Sequence, residues 1–116
     1  MLVKIYHNPR CTKSRQTLEL LEEKGINPEI IEYLKTPPLF QELSDVIKLL
    51  GIKPRELLRN KEAAYGENNL SDKTLSDEQI IKIMIENPIL IERPIVVVDN
   101  KKAAIGRPPE NVLVVL

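Results

Sequence analysis

The chain has 116 residues, 17 basic and 17 acidic side chains, and a single cysteine. A chain of this length is expected to form one domain, residues 1–116, without disulfides or structural metals. Balanced charge argues against nucleic-acid binding, one cysteine excludes an internal disulfide and a zinc cluster, and no apolar run reaches the roughly 18 residues of a membrane span. We therefore expect a cytoplasmic protein that engages neither nucleic acid nor membranes.

The first part of the chain predicts a β-α-β unit. Residues 2–6 alternate apolar and other side chains before an Asn-Pro turn signal, which indicates a strand. From Thr12 onward apolar side chains recur at helical spacing, and Gly25 is placed to end that helix in a left-handed conformation. Residues 28–34 predict a second strand. Cys11 is thus expected at a strand-to-helix junction.

The middle of the chain is predicted to be helical. Helices are expected over 36–51, over 54–60 and from 76 to 87, with a polar loop at 66–69. Thr36 is the predicted N-cap of the first of these helices, whose apolar stripe runs from Leu39 to Leu50 and which Gly51 ends. Ser76 begins the last helix, with Gln79 three residues later in a capping-box pattern.

The last part of the chain returns to β-structure. Residues 95–98 form a continuous β-branched run, typical of a fully buried strand, and residues 99–101 predict a hairpin turn into a strand at 102–105. Residues 106–110 are read as a loop or helix start, and the form of 112–116 is left open. The element order predicts an α/β domain whose core, about 1–36 and 88–116, carries a helical insertion at about 37–87.

Cys11 is the candidate nucleophile. A thiol at the first turn of a helix faces unpaired backbone N–H groups and the positive end of the helix dipole, and both favour the thiolate. Arg10, Lys13 and Arg15 add positive charge, and the first acidic residue is Glu19. We expect the pKa of Cys11 to lie below that of a free thiol.

Cys11 and Ser14 form a C-x-x-S motif, which places a hydroxyl one helical turn from the sulfur. In a C-x-x-C pair the second cysteine resolves a mixed disulfide. Because this chain has no second thiol, a thiol–disulfide cycle at Cys11 has to finish with an external thiol.

Three arginines lie at structural breaks: Arg59, Arg93 and Arg107. The planar guanidinium suits an oxyanion bound at the loops of an α/β protein, although a single such arginine is more often a solvated surface residue. His7, the only histidine, could tune the thiol or be a hydrogen-bonded structural residue, and both readings stay open. No second ligand accompanies it, so no metal site is expected.

Four separated segments carry a family resemblance. They read Tyr6-His7-Asn8-Pro9-Arg10-Cys11-Thr12-Lys13-Ser14-Arg15, Leu57-Leu58-Arg59, Glu92-Arg93-Pro94-Ile95-Val96-Val97 and Gly106-Arg107-Pro108-Pro109-Glu110. In this order they resemble the glutaredoxin-dependent arsenate reductase family over essentially the whole chain, as a short, chromosomal type of member.

The resemblance implies an α/β fold with a thioredoxin- or glutaredoxin-like core on a mixed sheet, an all-helical insertion and a cis Arg93–Pro94 bond. It implies a monomeric enzyme that reduces arsenate to arsenite through a covalent cysteine–arsenic intermediate on Cys11. Glutathione would be the co-substrate and glutaredoxin the protein partner, with no bound cofactor. The oxyanion would be bound by Arg59, Arg93, Arg107, Thr12 and Ser14. The site would be supported by His7, Asn8, Arg15 and Pro94.

Some features depart from the family pattern. Thr12 and Lys13 occupy variable positions, and the chain ends at Leu116 without the C-terminal extension of plasmid-type enzymes. Two alternatives therefore stay open: a glutathione-dependent reductase of the same family with another substrate, and a non-catalytic regulator with the same fold. The related regulators that bind RNA polymerase typically have C-x-x-C, so Ser14 argues against that branch.

Overall fold

The computed structural model describes all residues, 1–116, and its chain divides into two units. The first unit contains residues 1–36 and 93–116, and the second contains residues 37–92. The second unit begins where the helical insertion was predicted to begin and continues past 87, its predicted end.

The first unit is built on one four-stranded sheet. Its strands are β1 (Val3–Tyr6), β2 (Glu29–Ile31), β3 (Ile95–Val98) and β4 (Lys102–Ile105), in the order β2-β1-β3-β4. β1 and β2 are parallel and are connected through α1 (Thr12–Glu23), whereas β3 is antiparallel to both β1 and β4. The α/β class with a mixed sheet is therefore confirmed.

The strand register aligns the ends of three strands. Tyr6 of β1 is opposite Ile95 of β3, and Ile95 is opposite Ile105 of β4. The segments that follow β1 and β4 and the segment that precedes β3 therefore leave the sheet at the same end, because antiparallel neighbours run in opposite directions. Sequence positions near 7, 94 and 106 are thus brought together by the sheet.

The core of the first unit lies between one face of this sheet, α1 and a C-terminal 3₁₀ helix, Pro109–Val115. Alternate residues of a strand share a face, so one set of side chains from β1 and β3 forms this layer. The buried cluster comprises Val3, Ile5, Leu21, Val96, Val98, Val112 and Val115. The apolar C-terminal segment, for which the sequence predicts no definite form, is thus a 3₁₀ helix packed against this core.

The second unit consists of short helices. They are α2 (Phe40–Leu50), α3 (Ala63–Glu67), α4 (Asp77–Glu86) and the 3₁₀ helices Pro54–Leu57 and Pro88–Leu90. α4 packs against α2 and against both 3₁₀ helices. An isolated antiparallel bridge joins Leu58 to Ile91. No helix of the chain combines the length and the apolar character needed to cross a lipid bilayer.

Several predicted element features are confirmed. All four residues of β3 are buried, and the hairpin turn has positive φ angles of 54° at both Asp99 and Asn100. Gly25 and Gly51 have the expected left-handed conformations, with φ of 76° and 69°.

Other predicted boundaries are wrong. The second strand ends at Ile31, because the N–H groups of Lys35 and Thr36 turn back to the carbonyl of Glu32. The helix expected from 36 begins at Phe40, so Thr36 is not its N-cap. The polar loop expected at 66–69 includes the end of α3, and the helix expected over 54–60 is a 3₁₀ helix that ends at Leu57.

Candidate active site

Cys11 is the N-cap residue of α1. Its backbone is extended, with φ of −93° and ψ of 122°, and its carbonyl oxygen accepts the N–H of Arg15 at 3.0 Å. Its own N–H donates to the carbonyl oxygen of Asn8 at 3.0 Å. The chain thus turns from β1 into α1 within residues 8–11, and the partly exposed sulfur lies at the N-terminus of the helix.

Ser14 holds this turn from inside the helix. Its hydroxyl oxygen accepts the backbone N–H of Asn8 at 3.0 Å and lies 2.6 Å from Nδ1 of His7. Asn8 and Ser14 are both buried, and the Asn8 side chain accepts the N–H of Arg10 at 3.0 Å. The Ser14 hydroxyl is therefore engaged within the turn, and what reaches Cys11 is the backbone N–H of Ser14.

Arg15 braces the same turn from the outside. One end of its guanidinium donates to the carbonyl of Pro9 at 2.9 Å, and the other donates to the Thr12 hydroxyl at 3.2 Å. Thr12 is exposed on the first turn of α1. The charge of Arg15 is thus used to hold the loop that carries Cys11.

His7 is buried, with 6% of its surface exposed. Burial lowers its pKa, the charge of Glu32 raises it, and the charge of Arg15 lowers it further, with a net value below the usual one. A neutral imidazole can accept the Ser14 hydroxyl at Nδ1 when Nε2 carries the proton. This arrangement favours the interpretation of His7 as a hydrogen-bonded structural residue.

Arg93 and Arg107 both approach the sulfur from the open end of the β3–β4 hairpin, where Arg93 lies before β3 and Arg107 lies after β4. Nη1 of Arg107 lies 3.7 Å from Sγ of Cys11 and also donates to the carbonyl oxygen of Arg93 at 3.1 Å. Both arginines precede cis prolines, at Arg93–Pro94 as expected and at Arg107–Pro108, which the sequence did not predict. The sheet register explains how residues so far apart in sequence reach one cysteine.

The thiol of Cys11 has a lowered pKa. Partial burial acts to raise it, but hydrogen bonds from the Ser14 backbone and from the side chains of Arg93 and Arg107 outweigh this, with a further contribution from the charge of Arg93. Donors that stabilise the charged form lower the pKa of an acid. A partly exposed thiolate among cationic donors can attack an electrophile that is itself an oxyanion, because the same donors offset its negative charge.

Arg59 belongs to the second unit, directly after the residue that forms the isolated bridge. Its Nη1 donates to Oε1 of Glu92 at 2.7 Å, and its Nε lies 3.5 Å from Oε2 of Glu62. Its backbone N–H donates to the carbonyl of Leu90 at 2.8 Å. The guanidinium is therefore anchored within its own unit by two carboxylates.

Sequence reasoning missed these acidic partners of Arg59. Glu62 lies three residues from Arg59 and closes a turn by donating its N–H to the Arg59 carbonyl oxygen, so the short spacing of opposite charges was a signal that could have been used. Glu92 lies next to Arg93 in one of the four segments that carry the family resemblance, but its contact with Arg59 depends on the bridge between two distant segments.

The profile of the ArsC family matches residues 6–115. The chain belongs to the ArsC family. It is 58% identical over 112 residues to the uncharacterized protein YfgD of Escherichia coli, covering 96% of this chain and 93% of that protein. It is 49% identical over 117 residues to the arsenate reductase of Haemophilus influenzae, covering the whole of both.

Solved structures support the same assignment. The arsenate reductase structure from Vibrio cholerae superposes with a TM-score of 0.96 at 51% identity, covering all of this chain and 98% of the other. The thioredoxin-like fold and the family predicted from the four segments are thereby confirmed for this ArsC-family chain.

Proposed function

We propose that this chain reduces arsenate to arsenite with Cys11 as the nucleophile. One observation carries the proposal: a partly exposed sulfur at the N-terminus of α1, with its pKa lowered, lies 3.7 Å from a guanidinium nitrogen of Arg107. The similarity to proteins named arsenate reductase from Haemophilus influenzae and Vibrio cholerae supports arsenate as the oxyanion.

In the first step the thiolate of Cys11 attacks arsenic. A sulfur–arsenic bond forms, an arsenic–oxygen bond breaks, and the oxygen leaves as water after taking up protons. Arg93 and Arg107 counter the charge on the remaining oxygens, and the backbone N–H groups of Thr12 and Ser14 add donors at the helix start. These are the contributions we propose for the oxyanion-binding residues of the first unit.

Glutathione supplies the second sulfur in this proposal. Its thiol displaces another oxygen as water and leaves arsenic bound to both sulfurs. The glutaredoxin thiolate then attacks the glutathione sulfur, a disulfide forms, and the electron pair of the broken sulfur–arsenic bond reduces As(V) to As(III). Water releases arsenite and restores Cys11. An external thiol is required because Ser14 replaces the resolving cysteine of a C-x-x-C pair.

Selectivity in this mechanism lies in the redox step. Phosphate and arsenate have nearly the same shape and charge, so guanidinium and backbone donors bind both. Thiols reduce As(V) but not P(V). Phosphate should therefore protect Cys11 from alkylation without being consumed.

The test is arsenite production by the purified protein with arsenate, glutathione and glutaredoxin, each omitted in turn. Cys11→Ser is the matched control, since it changes one atom of the site. We expect arsenite from the wild type only with all three components and none from the variant. Activity that survives in Cys11→Ser would reject Cys11 as the nucleophile. Arsenate that protects Cys11 from alkylation but is not reduced would reject arsenate as the substrate.

A further inference from the structure

Gly106 directly follows β4 and packs against Thr17 of α1. A Cβ atom at this position would come within 2.8 Å of Cγ of Pro94 and 3.0 Å of Cγ2 of Thr17, and closer still to the Thr17 hydroxyl oxygen. Real Cβ atoms do not make contacts this short with packed neighbours. The other glycines, at 25, 51 and 66, have no neighbouring atom within 4 Å of a Cβ. Gly106 is thus the glycine whose missing side chain allows two segments to touch.

Thr17 presents a fixed surface to this glycine. It is fully buried in α1, and its hydroxyl donates to the carbonyl oxygen of Lys13 at 2.8 Å. This bond to the preceding turn of the helix selects one side-chain rotamer. The same hydroxyl oxygen lies 3.5 Å from the carbonyl oxygen of Gly106. Because the residue has no exposed surface, it cannot move aside without disturbing the packing of α1.

The loop is held from its other side by the segment that begins β3. The N–H of Gly106 donates to the carbonyl oxygen of Pro94 at 3.0 Å. Arg107 follows directly, and its Nη1 makes the contacts with the Cys11 sulfur and the Arg93 carbonyl already described. Cys11 caps the helix that contains Thr17. The packing of Gly106 against Thr17 therefore joins the segment that carries the guanidinium to the helix that carries the sulfur.

We propose that Gly106, packed against Thr17 and Pro94, is a positioning residue that sets the distance between the Arg107 guanidinium and the Cys11 sulfur. The proposal rests on the proposed function only in taking Cys11 as the nucleophile. The N–H···S contact of 3.7 Å lies towards the long end of hydrogen bonds to sulfur, whose larger radius makes them longer than hydrogen bonds to oxygen. A displacement of the loop by a few tenths of an ångström would therefore weaken it.

The test compares Gly106→Ala with Gly66→Ala, which adds the same methyl group where no atom lies within 4 Å. The readout is the pKa of Cys11, measured from the pH dependence of its alkylation and from thiolate absorbance. In Gly106→Ala the pKa should rise by about one unit, which is about a tenfold fall in thiolate fraction at a pH well below both values. Gly66→Ala should keep the wild-type pKa.

A double-mutant cycle separates positioning from general destabilisation. If Gly106 acts through Arg107, then Gly106→Ala should not change the pKa of Cys11 further when Arg107 is already alanine. If the Cys11 pKa shifts of Gly106→Ala and Arg107→Ala add in the double variant, the proposal is overturned. A folded Gly106→Ala protein in which Cys11 keeps its wild-type pKa would also overturn it.

Thr17 provides a second route if Gly106→Ala does not fold. Thr17→Val places a methyl group where the hydroxyl faces Gly106, and we expect a rise in the Cys11 pKa in the same direction. Thr17→Ser keeps the hydroxyl and should keep the wild-type pKa. Equal values in Thr17→Val and Thr17→Ser would overturn the proposal.

The rate of arsenate reduction completes the test. The value of kcat/KM for arsenate should fall by at least about tenfold in Gly106→Ala if the reaction depends on the distance between Arg107 and Cys11. A wild-type protein that reduces no arsenate, together with the expected pKa shifts, would reject the proposed function and leave the positioning role of Gly106 intact. Arsenate reduction by the wild type, together with an unchanged Cys11 pKa in Gly106→Ala, would reject the positioning role of Gly106 and leave the proposed function intact.

Discussion

At Cys11, partial burial and hydrogen bonding act on the pKa of the thiol in opposite directions. Burial disfavours the thiolate, whereas the Ser14 backbone and the guanidinium groups of Arg93 and Arg107 stabilise it. The basic neighbours that suggested activation from the sequence are not the ones that act here. Arg15, for example, binds Pro9 and Thr12 instead. The activating arginines come from segments more than 80 residues away along the chain.

The first prediction concerns Arg107. Arg107→Ala should raise the pKa of Cys11 by about one unit, because it removes one charged donor while leaving the helix start in place. Arg107→Lys should recover part of the shift, since an ammonium keeps the charge but lacks the planar fork. The pH dependence of alkylation measures both. Arg10→Ala, at an exposed arginine next to Cys11, is the control and should change the pKa little. An unchanged pKa in Arg107→Ala would contradict the prediction.

The second prediction concerns Arg59, which the family resemblance assigns to oxyanion binding. Arg59→Ala should raise the KM for arsenate or lower kcat, and Arg59→Lys should restore only part of the activity. The loss of the ion pair with Glu92 should cost about 1 kcal/mol or less of unfolding free energy, because both side chains are partly exposed, at 21% and 27%. Steady-state kinetics and denaturant unfolding separate the two effects. Full activity in Arg59→Ala would remove this residue from the site.

Helix starts in this chain show when capping rules succeed and when they fail. Ser76 and Gln79 form the reciprocal capping box that the sequence predicts, with distances of 2.8 Å and 3.2 Å. Thr36 has the right chemistry but is followed by Pro37 and Pro38. A residue before proline is driven towards extended conformations, so the helix cannot begin until the second proline is passed. It begins at Phe40, with Glu42 accepting the N–H of Leu39 at 3.3 Å.

A pair of substitutions tests this difference. Ser76→Ala should lower the free energy of unfolding by about 1 kcal/mol, because it removes the acceptor for the Gln79 N–H. Thr36→Ala should change stability by only a few tenths of a kcal/mol, since the exposed side chain caps no helix. Urea unfolding monitored by circular dichroism measures both variants. Similar losses in the two variants would refute the assignment of Phe40 as the helix start.

Strong local patterns predicted most elements of the fold, and competing local signals account for the errors. The β-branched run of β3 and the turn after it each favour a single interpretation, and the predictions of a buried strand and of a hairpin turn were both correct. Gly66 and the asparagines after it suggested a loop, yet α3 forms over Ala63–Glu67. The segment 112–116 is too short and too uniformly apolar for periodicity to distinguish strand from helix.

At the scale of the whole molecule, the site residues divide by how they could be found. The position of Cys11 at a helix start follows from local pattern. The convergence of Arg93 and Arg107 on Cys11 was predicted from the family resemblance, and the structure explains it through the register of β3 and β4. The contacts of Arg59 with Glu92 and of Thr17 with Gly106 join residues 33 and 89 positions apart. No local pattern encodes such contacts, because they depend on the packed fold.

The last prediction is the pH dependence of global stability. Cys11 and His7 both have lowered pKa values in the folded chain. Each therefore stabilises the fold fully above its unfolded pKa, and this contribution is lost as pH falls through the folded one. For His7 this loss of stability begins as the pH falls below about 6.5, and for Cys11 it begins as the pH falls below about 8.5. These two pH ranges are the acidic window and the alkaline window.

Denaturant unfolding under reducing conditions across these two windows checks the prediction. The free energy of unfolding should rise with pH in both windows for the wild type. Cys11→Ser should lose the rise in the alkaline window and keep the acidic one, which belongs to His7. A wild-type profile that is flat or falls between the folded pKa of Cys11 and about pH 8.5 would contradict the linkage.

The β3–β4 hairpin fixes the spacing of the Arg93 and Arg107 guanidinium groups at its open end. Its other end is a tight turn at Asp99 and Asn100. A slip of one residue in its pairing would send alternate side chains to the opposite face and separate Arg93 from Arg107. Extra residues accommodated wholly within the turn would leave that spacing intact. A fluorescent label or peptide tag is therefore best inserted at the turn, where it can report on the protein without disturbing its chemistry.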